Sequence, residues 1–134
     1  RKEYMKTPHA KTLRKAREKK YLANINYKLK RTLSKRVRSA LLASGLVRSI
    51  KTERLIGCTI PQMRKHLEAK FYKHPKSGKE MTWKNNTNNG WHIDHIKPLA
   101  SFDLSKPKEQ LRAFNYKNTQ PLWAEENLAK GDKY

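Results

Sequence analysis

The run Trp91-His92-Ile93-Asp94-His95-Ile96 mixes residues that build strands with residues that bind metals and move protons. Aspartate offers a hard oxygen donor, suited to Mg²⁺ or Mn²⁺. Histidine has an unperturbed pKa of ~6.5, so its imidazole is neutral and basic near physiological pH. Farther along, Asn127 adds an amide oxygen of similar hardness, and Lys130 adds a cation beside Gly131. An adjacent Asp-His pair is a weak signal alone, because short motifs recur by chance. Its agreement with the spacing of Asn118 and Asn127, with Lys130-Gly131 and with a formal net charge of +21 is much more specific.

Local sequence predicts the elements that must hold these groups. Residues 91–96 read as a short strand ended by Pro98, and 119–123 as a second strand. Residues 124–130 read as a helix stopped at Gly131. The connection 99–117 holds a predicted helix from about 106 to 114, capped by Ser105. Strand, loop, strand and helix make a small platform on which Asn127 faces Asp94. Asp94 and His95 are neighbours, so a regular strand sends them to opposite faces. They serve one phosphate if the strand bends at its end or the metal lies at its edge.

Upstream, Thr59 and Gln62 have capping-box spacing, and Pro61 falls in the first turn of a helix. Ile60, Met63, Leu67 and Phe71 follow at core spacing. Residues 72–90 read as loop around an apolar patch at Met81 and Trp83. Residues 27–44 predict a helix with Leu29, Leu33, Val37, Ala40 and Leu41 on one face. Lys28, Lys30, Arg31, Lys35, Arg36 and Arg38 occupy the others, and Gly45 suits the turn that follows. Residues 1–26 carry little periodicity and read as an extended or helical arm that orders on its partner.

The 134 residues suit one domain, yet only 36% are hydrophobic. Residues 1–54 hold 18 of the 32 Lys and Arg and 3 of the 11 acids, a net of +15, against +6 for the rest. Such charge opposes compaction and calls for a polyanion, with nucleic acid as the natural candidate. No basic stretch carries a strong aromatic and aliphatic face opposite its charges, as a membrane surface would need, and no apolar run approaches the length of a membrane span. The single Cys58 allows neither an internal disulfide nor a zinc-binding cysteine pair and points to a reducing compartment. Trp83, Trp91 and Trp123 are expected in the core, and His9, His66 and His74 at the surface.

The run His92-Ile93-Asp94-His95-Ile96-Lys97-Pro98, followed by Asn118-Thr119-Gln120-Pro121-Leu122-Trp123-Ala124-Glu125-Glu126-Asn127-Leu128-Ala129-Lys130-Gly131, closely resembles the HNH endonucleases, also called His-Me finger or ββα-metal nucleases. It looks most like the stand-alone phage and mobile-element type that lacks zinc cysteines. The resemblance is strong over residues 91–131 and extends back through 55–90. It implies an α+β fold, with a C-terminal ββα-metal motif behind a basic, mainly helical N-terminal region. Residues 1–54 would be the nucleic-acid-binding arm and 55–134 the nuclease domain. It further implies that Asp94 is a metal ligand and that His95 is the general base on the attacking water. Asn118 would tie the loop before the second strand, Asn127, where many members have His, would be the second ligand, and Lys130 would lie near the phosphate. One Mg²⁺, Mn²⁺ or other divalent ion would serve each site, without structural zinc. Trp91, Phe102, Leu111, Phe114, Leu122 and Trp123 would then hold the core.

These types suit phosphodiester hydrolysis, because the anionic oxygens of the diester repel a nucleophile until a cation neutralises them. The expected function is hydrolysis of DNA to 5′-phosphate and 3′-hydroxyl ends in the cytoplasm of a bacterial or phage-infected cell. A monomer would nick, while a dimer or a second visit could break both strands. Double-stranded DNA is the expected partner, held by Lys28, Lys30, Arg31, Lys35, Arg36 and Arg38, with His92 and Lys97 nearer the cut. RNA or a ribonucleoprotein is the second candidate. The rival reading is a non-catalytic nucleic-acid-binding protein or an accessory subunit of a larger nucleic-acid complex.

Overall fold

The computed structural model describes residues 7–131. The predicted arm's first six residues lie outside that range. The remainder of the arm and the predicted 27–44 helix are one element, α1, over Pro8–Ala43, capped by Thr7, whose side chain accepts from the Ala10 amide. At 36 residues it runs about 54 Å. Its apolar residues explain its two characters. From Ile25 onward Leu29, Leu33, Val37 and Leu41 recur every fourth residue and are buried, whereas all of 11–20 is exposed. The lower half is therefore fixed by packing, and the upper half is a bare basic rod. Gly45 takes a positive φ of 72° just past the helix, as its sequence position predicts.

Two short helices follow, α2 (Thr52–Ile56) and α3 (Ile60–Glu68). The predicted capping box of α3 is present: Thr59 Oγ1 accepts from the Gln62 amide at 3.2 Å, and Gln62 Oε1 accepts from the Thr59 amide at 2.9 Å. Strand β1 (Trp91–His95) pairs antiparallel with β2 (Thr119–Trp123), Ile93 lying opposite Pro121. Between them lies α4 (Pro107–Phe114), and α5 (Ala124–Lys130) follows β2 directly. The fold is α+β, mainly helical, with this one two-stranded sheet among the described residues.

Ser105 does not cap α4. The cap position is Lys106, without a side-chain bond, and the Ser105 hydroxyl donates instead to Asp103 Oδ1 at 2.5 Å. The nearer acid captured the hydroxyl.

Two apolar clusters form the core. One joins Leu29 and Leu33 of α1 to Ile56, Met63 and Leu67, and to Trp91, Ile93 and Trp123 of the sheet. The other joins Val37 and Leu41 to Leu55, Leu104, Ala113 and Phe114. Each therefore combines residues from before and after position 54. Of the expected core, Phe102 and Leu111 only flank the second cluster, and Leu122 is half-buried. Phe71, Trp83 and Trp91 meet with ring centroids 5.1–5.5 Å apart. His66 and His74 are partly buried, contrary to the surface expectation. His66 Nε2 meets the Thr119 carbonyl at 3.0 Å, and His74 packs edge-on against Trp123. Among the described residues no helix is long and apolar enough to cross a membrane.

Candidate functional site

The site is built on the two faces and the free edge of β1. Pro121 has no amide hydrogen, so the facing Ile93 must occupy a non-hydrogen-bonded pair. The amide and carbonyl of Ile93 then point away from β2, toward the open side of the ribbon. The neighbouring ladder agrees: Ala124 N donates to the Gly90 carbonyl at 2.8 Å, and Ile96 N to the Asn118 carbonyl at 2.8 Å. His92 and Asp94 face α5, while Trp91, Ile93 and His95 face α1 and the core.

On the α5 face Asp94 is buried and fully partnered. The cross-strand Gln120 Nε2 donates to Oδ2 at 3.0 Å. Lys130 Nζ lies 3.3 Å from Oδ1 and 3.2 Å from Oδ2, and also donates to the His95 carbonyl at 3.0 Å. Lys130 is itself only 16% exposed, so each charge offsets the desolvation of the other. Asn127 does not bond Asp94. Its Nδ2 lies 3.0 Å from His92 Nδ1, and His92 Nε2 lies 3.0 Å from the Asn88 carbonyl. A carbonyl only accepts, so Nε2 carries the proton and Nδ1 accepts from the Asn127 amide. That leaves the Asn127 carbonyl oxygen free of this contact. His92, expected to touch nucleic acid, instead orients Asn127.

His95 looks the other way, into a hollow of 550 Å³ shared with Thr32, Lys35, Arg36 and Ser39 of α1 and with Leu99. Its ring meets Phe114 edge-on at 6.1 Å. Burial, then the Arg36 cation, push its pKa down to about 4, with Asp94 opposing and Lys130 adding to the drop. The imidazole is thus neutral near pH 7.

Arg36 joins the two faces. Its Nη1 donates to the Ile93 carbonyl on the free edge of β1. Burial lowers its pKa, and the Asp94 carboxylate counters that shift. The guanidinium therefore lies within electrostatic reach of both Asp94 and His95, at the rim between them.

Asn118 works at a distance from these groups. Its Oδ1 accepts from the Lys97 amide at 2.8 Å, and its Nδ2 donates to the carbonyls of Lys97 and Ala113 at 3.1 and 3.0 Å. It stitches the exit of β1 to the end of α4.

The six cations expected along α1 have three different environments. Lys30 pairs with Glu53 at 3.2 Å, and Arg36 turns inward to β1. Lys28, Arg31, Lys35 and Arg38 line a second, larger hollow. Lys97 lies over the Phe102 ring at 4.7 Å. Gln120 and the inward path of Arg36 had escaped the sequence reading. The register signalled by Pro121 identifies Gln120, while the path of Arg36 has no local signal.

No group of three His, Cys, Asp or Glu side chains able to hold a metal occurs among the described residues. The donors at hand are one carboxylate and one amide oxygen. Their hardness fits a Mg²⁺-type ion, for which water and phosphate commonly complete the shell. The Lys130 ammonium beside Asp94 marks the carboxylate as a seat for positive charge.

No family model matches the chain, and no solved structure matches it. It is similar to two proteins of Acanthamoeba polyphaga mimivirus. It is 33% identical to "Uncharacterized protein L426" over 114 residues, 85% of this chain and 46% of that protein. It is 32% identical to "Uncharacterized protein L246" over 108 residues, 81% of this chain and 43% of that one. The chain thus spans less than half the length of either relative.

Proposed function

We propose that the chain is a metal-dependent endonuclease of the HNH type that hydrolyses DNA phosphodiesters to 5′-phosphate and 3′-hydroxyl ends. The observation that carries the reading is Arg36 at the free edge of β1, between an imidazole on one face and a carboxylate on the other. A regular strand separates Asp94 from His95, so one phosphate can address both only around that edge. The edge is where a half-buried guanidinium already sits.

In this reading the diester docks at the rim with its oxygens toward Arg36. His95 takes the proton from a water approaching out of the hollow, and Arg36 opposes the charge that builds on the phosphorane. Asp94 and the Asn127 carbonyl would hold a divalent ion, with His92 fixing the Asn127 amide. When bound, that ion supplies charge neutralisation and stabilises the leaving oxygen. Lys130 would yield its place beside Asp94 and turn to the phosphate. Asn118 keeps the end of β1 in register with these groups.

One observation favours the rival, a nucleic-acid binder without chemistry: the Lys130 ammonium already satisfies Asp94. Incubation of supercoiled plasmid with the protein separates the two. The nuclease reading expects nicked circles with Mg²⁺, none in EDTA, and none from His95→Ala even though that variant still binds. Uncut plasmid over a range of divalent ions, or equal cutting by His95→Ala, would overturn it.

A further inference from the structure

The larger hollow, of 900 Å³, runs along α1 and opens beside the His95 hollow, with Thr32 and Lys35 lining both. One wall is a stripe of α1: Tyr21, Asn24, Lys28, Arg31, Lys35 and Arg38. These positions alternate steps of three and four residues, so they share one helix face. From Lys28 to Arg38 the four cations extend over ten helical steps, about 15 Å, or the reach of a few backbone phosphates. Lys28, Lys35 and Arg38 have no acidic partner among the described residues.

The opposite wall differs in kind. It comes from the turn at Trp83–Asn85 and the residues after it, and contributes Trp83, Asn86 and Thr87 with a single cation, Lys84. Its floor includes the apolar side chains of Ile25, Leu29 and Ile93. That wall is held in place: Trp83 Nε1 donates to Glu68 at 2.8 Å. A Cβ on Gly90 would stand 1.8 Å from the Asn85 carbonyl oxygen, so only glycine lets this loop close.

A duplex shows phosphates along both strands, and a groove that straddles it needs cations on both walls. Here one wall is cationic, while the other wall and the floor offer amides, a hydroxyl, apolar surface and an aromatic edge. That pairing suits one strand, its phosphates on α1 and its uncovered bases against the 83–87 wall. Tyr21, half exposed at the far end, supplies a further stacking surface. We propose that this groove is a track for an unpaired nucleic-acid strand, leading from Tyr21 to the hollow at His95. Placing the reacting phosphate at the His95 end rests on the nuclease reading, whereas the track itself does not. On the nuclease reading the site then acts where a strand has left its duplex, at a flap, a junction or the unpaired loops that a supercoiled circle opens.

Binding in EDTA tests the track without any cutting. Labelled twelve-nucleotide DNA, the same sequence as RNA, and the matching DNA duplex would be titrated into the whole chain by fluorescence anisotropy. Either single strand should bind at least ~10-fold tighter than the duplex at equal salt, and the DNA and RNA arms decide which the protein prefers. Lys28→Ala with Arg38→Ala alters two exposed side chains and should lower the salt slope for the single strand by roughly 1.4, at about 0.7 per phosphate. Asn86→Ala should weaken single-strand binding and leave that slope unchanged. Equal or tighter binding of the duplex, or a double variant that binds like the parent, overturns the track. If the single strand binds as expected but no DNA is cut with Mg²⁺, the nuclease reading falls and the track stands.

Discussion

The two faces of β1 are built in opposite ways. On the α5 side Asp94, Gln120, Lys130, His92 and Asn127 satisfy one another, and little is left for a visitor. On the α1 side His95 opens onto a hollow edged by Lys35 and Arg36, with cations in excess of acids. One face is neutral and closed, the other electropositive and open. The open face has the charge to attract a polyanion, while the closed face holds a carboxylate whose charge Lys130 offsets. The difference shows that burial and charge balance divide the work of a site as sharply as residue type does.

The largest test of this contrast lies on the open face. His95→Ala should lower cleavage by about 10²- to 10⁴-fold with strand binding retained, read from initial nicking rates and anisotropy on one preparation. Arg36→Leu removes the cation shared by both faces and should cost ~10²-fold in cleavage. It also leaves the Ile93 carbonyl without its donor, which should destabilise the fold by about 1–3 kcal/mol in urea unfolding. A variant that cuts normally would detach Arg36 from the chemistry and leave it a purely structural clasp.

The closed face predicts a different signature. Asp94→Ala strands a buried ammonium and should destabilise by ~3 kcal/mol, whereas adding Lys130→Met to it should restore most of that loss. Additive losses in the double variant would mean the pair is not coupled. Lys130→Met alone should tighten divalent-ion binding by calorimetry, because a competing cation is gone; unchanged affinity would place the ion elsewhere.

The smallest effect concerns how α5 is clasped to the rest. Tyr72 donates to Glu126 Oε1 at 2.5 Å, and burial, then this bond, raise its pKa to about 12. The folded state therefore holds the phenol proton more tightly than the unfolded chain does. That contribution is complete below pH 10 and fades as pH climbs toward 12. The stability gap between the parent and Tyr72→Phe should narrow across this window, and a constant gap would show that the hydroxyl is not linked to folding.

Much of this was legible before any coordinates. The Thr59 box, both strands and the α5 stop at Gly131 are local signals, fixed within a few residues of themselves. The side-chain bonds of Asn118 reach Lys97 and Ala113, partners that no local pattern names. The sequence leaves the upper half of α1 between an extended and a helical arm, because the apolar residues of 8–24 mark no clear period. Of the groove stripe, the four cations were expected on nucleic acid, whereas Tyr21 and Asn24 were not, because hydrophobic patterning tracks what is buried and both are exposed. The fates of Lys30 and Arg36 depend on what stands opposite, an acid on α2 in one case and a bare carbonyl in the other. His92 and Asn127 lie 35 residues apart, and only tertiary closure brings them together.

The placement of Pro121 reaches beyond the site. The same register that frees the Ile93 carbonyl on one rim of the ribbon puts a ring without a donor midway along the other. One rim is plugged by a guanidinium, and the other lacks a donor at its centre, where the Pro121 carbonyl alone faces out. A third strand would meet an occupied carbonyl on one rim and a missing donor on the other, and both discourage its addition to the ribbon.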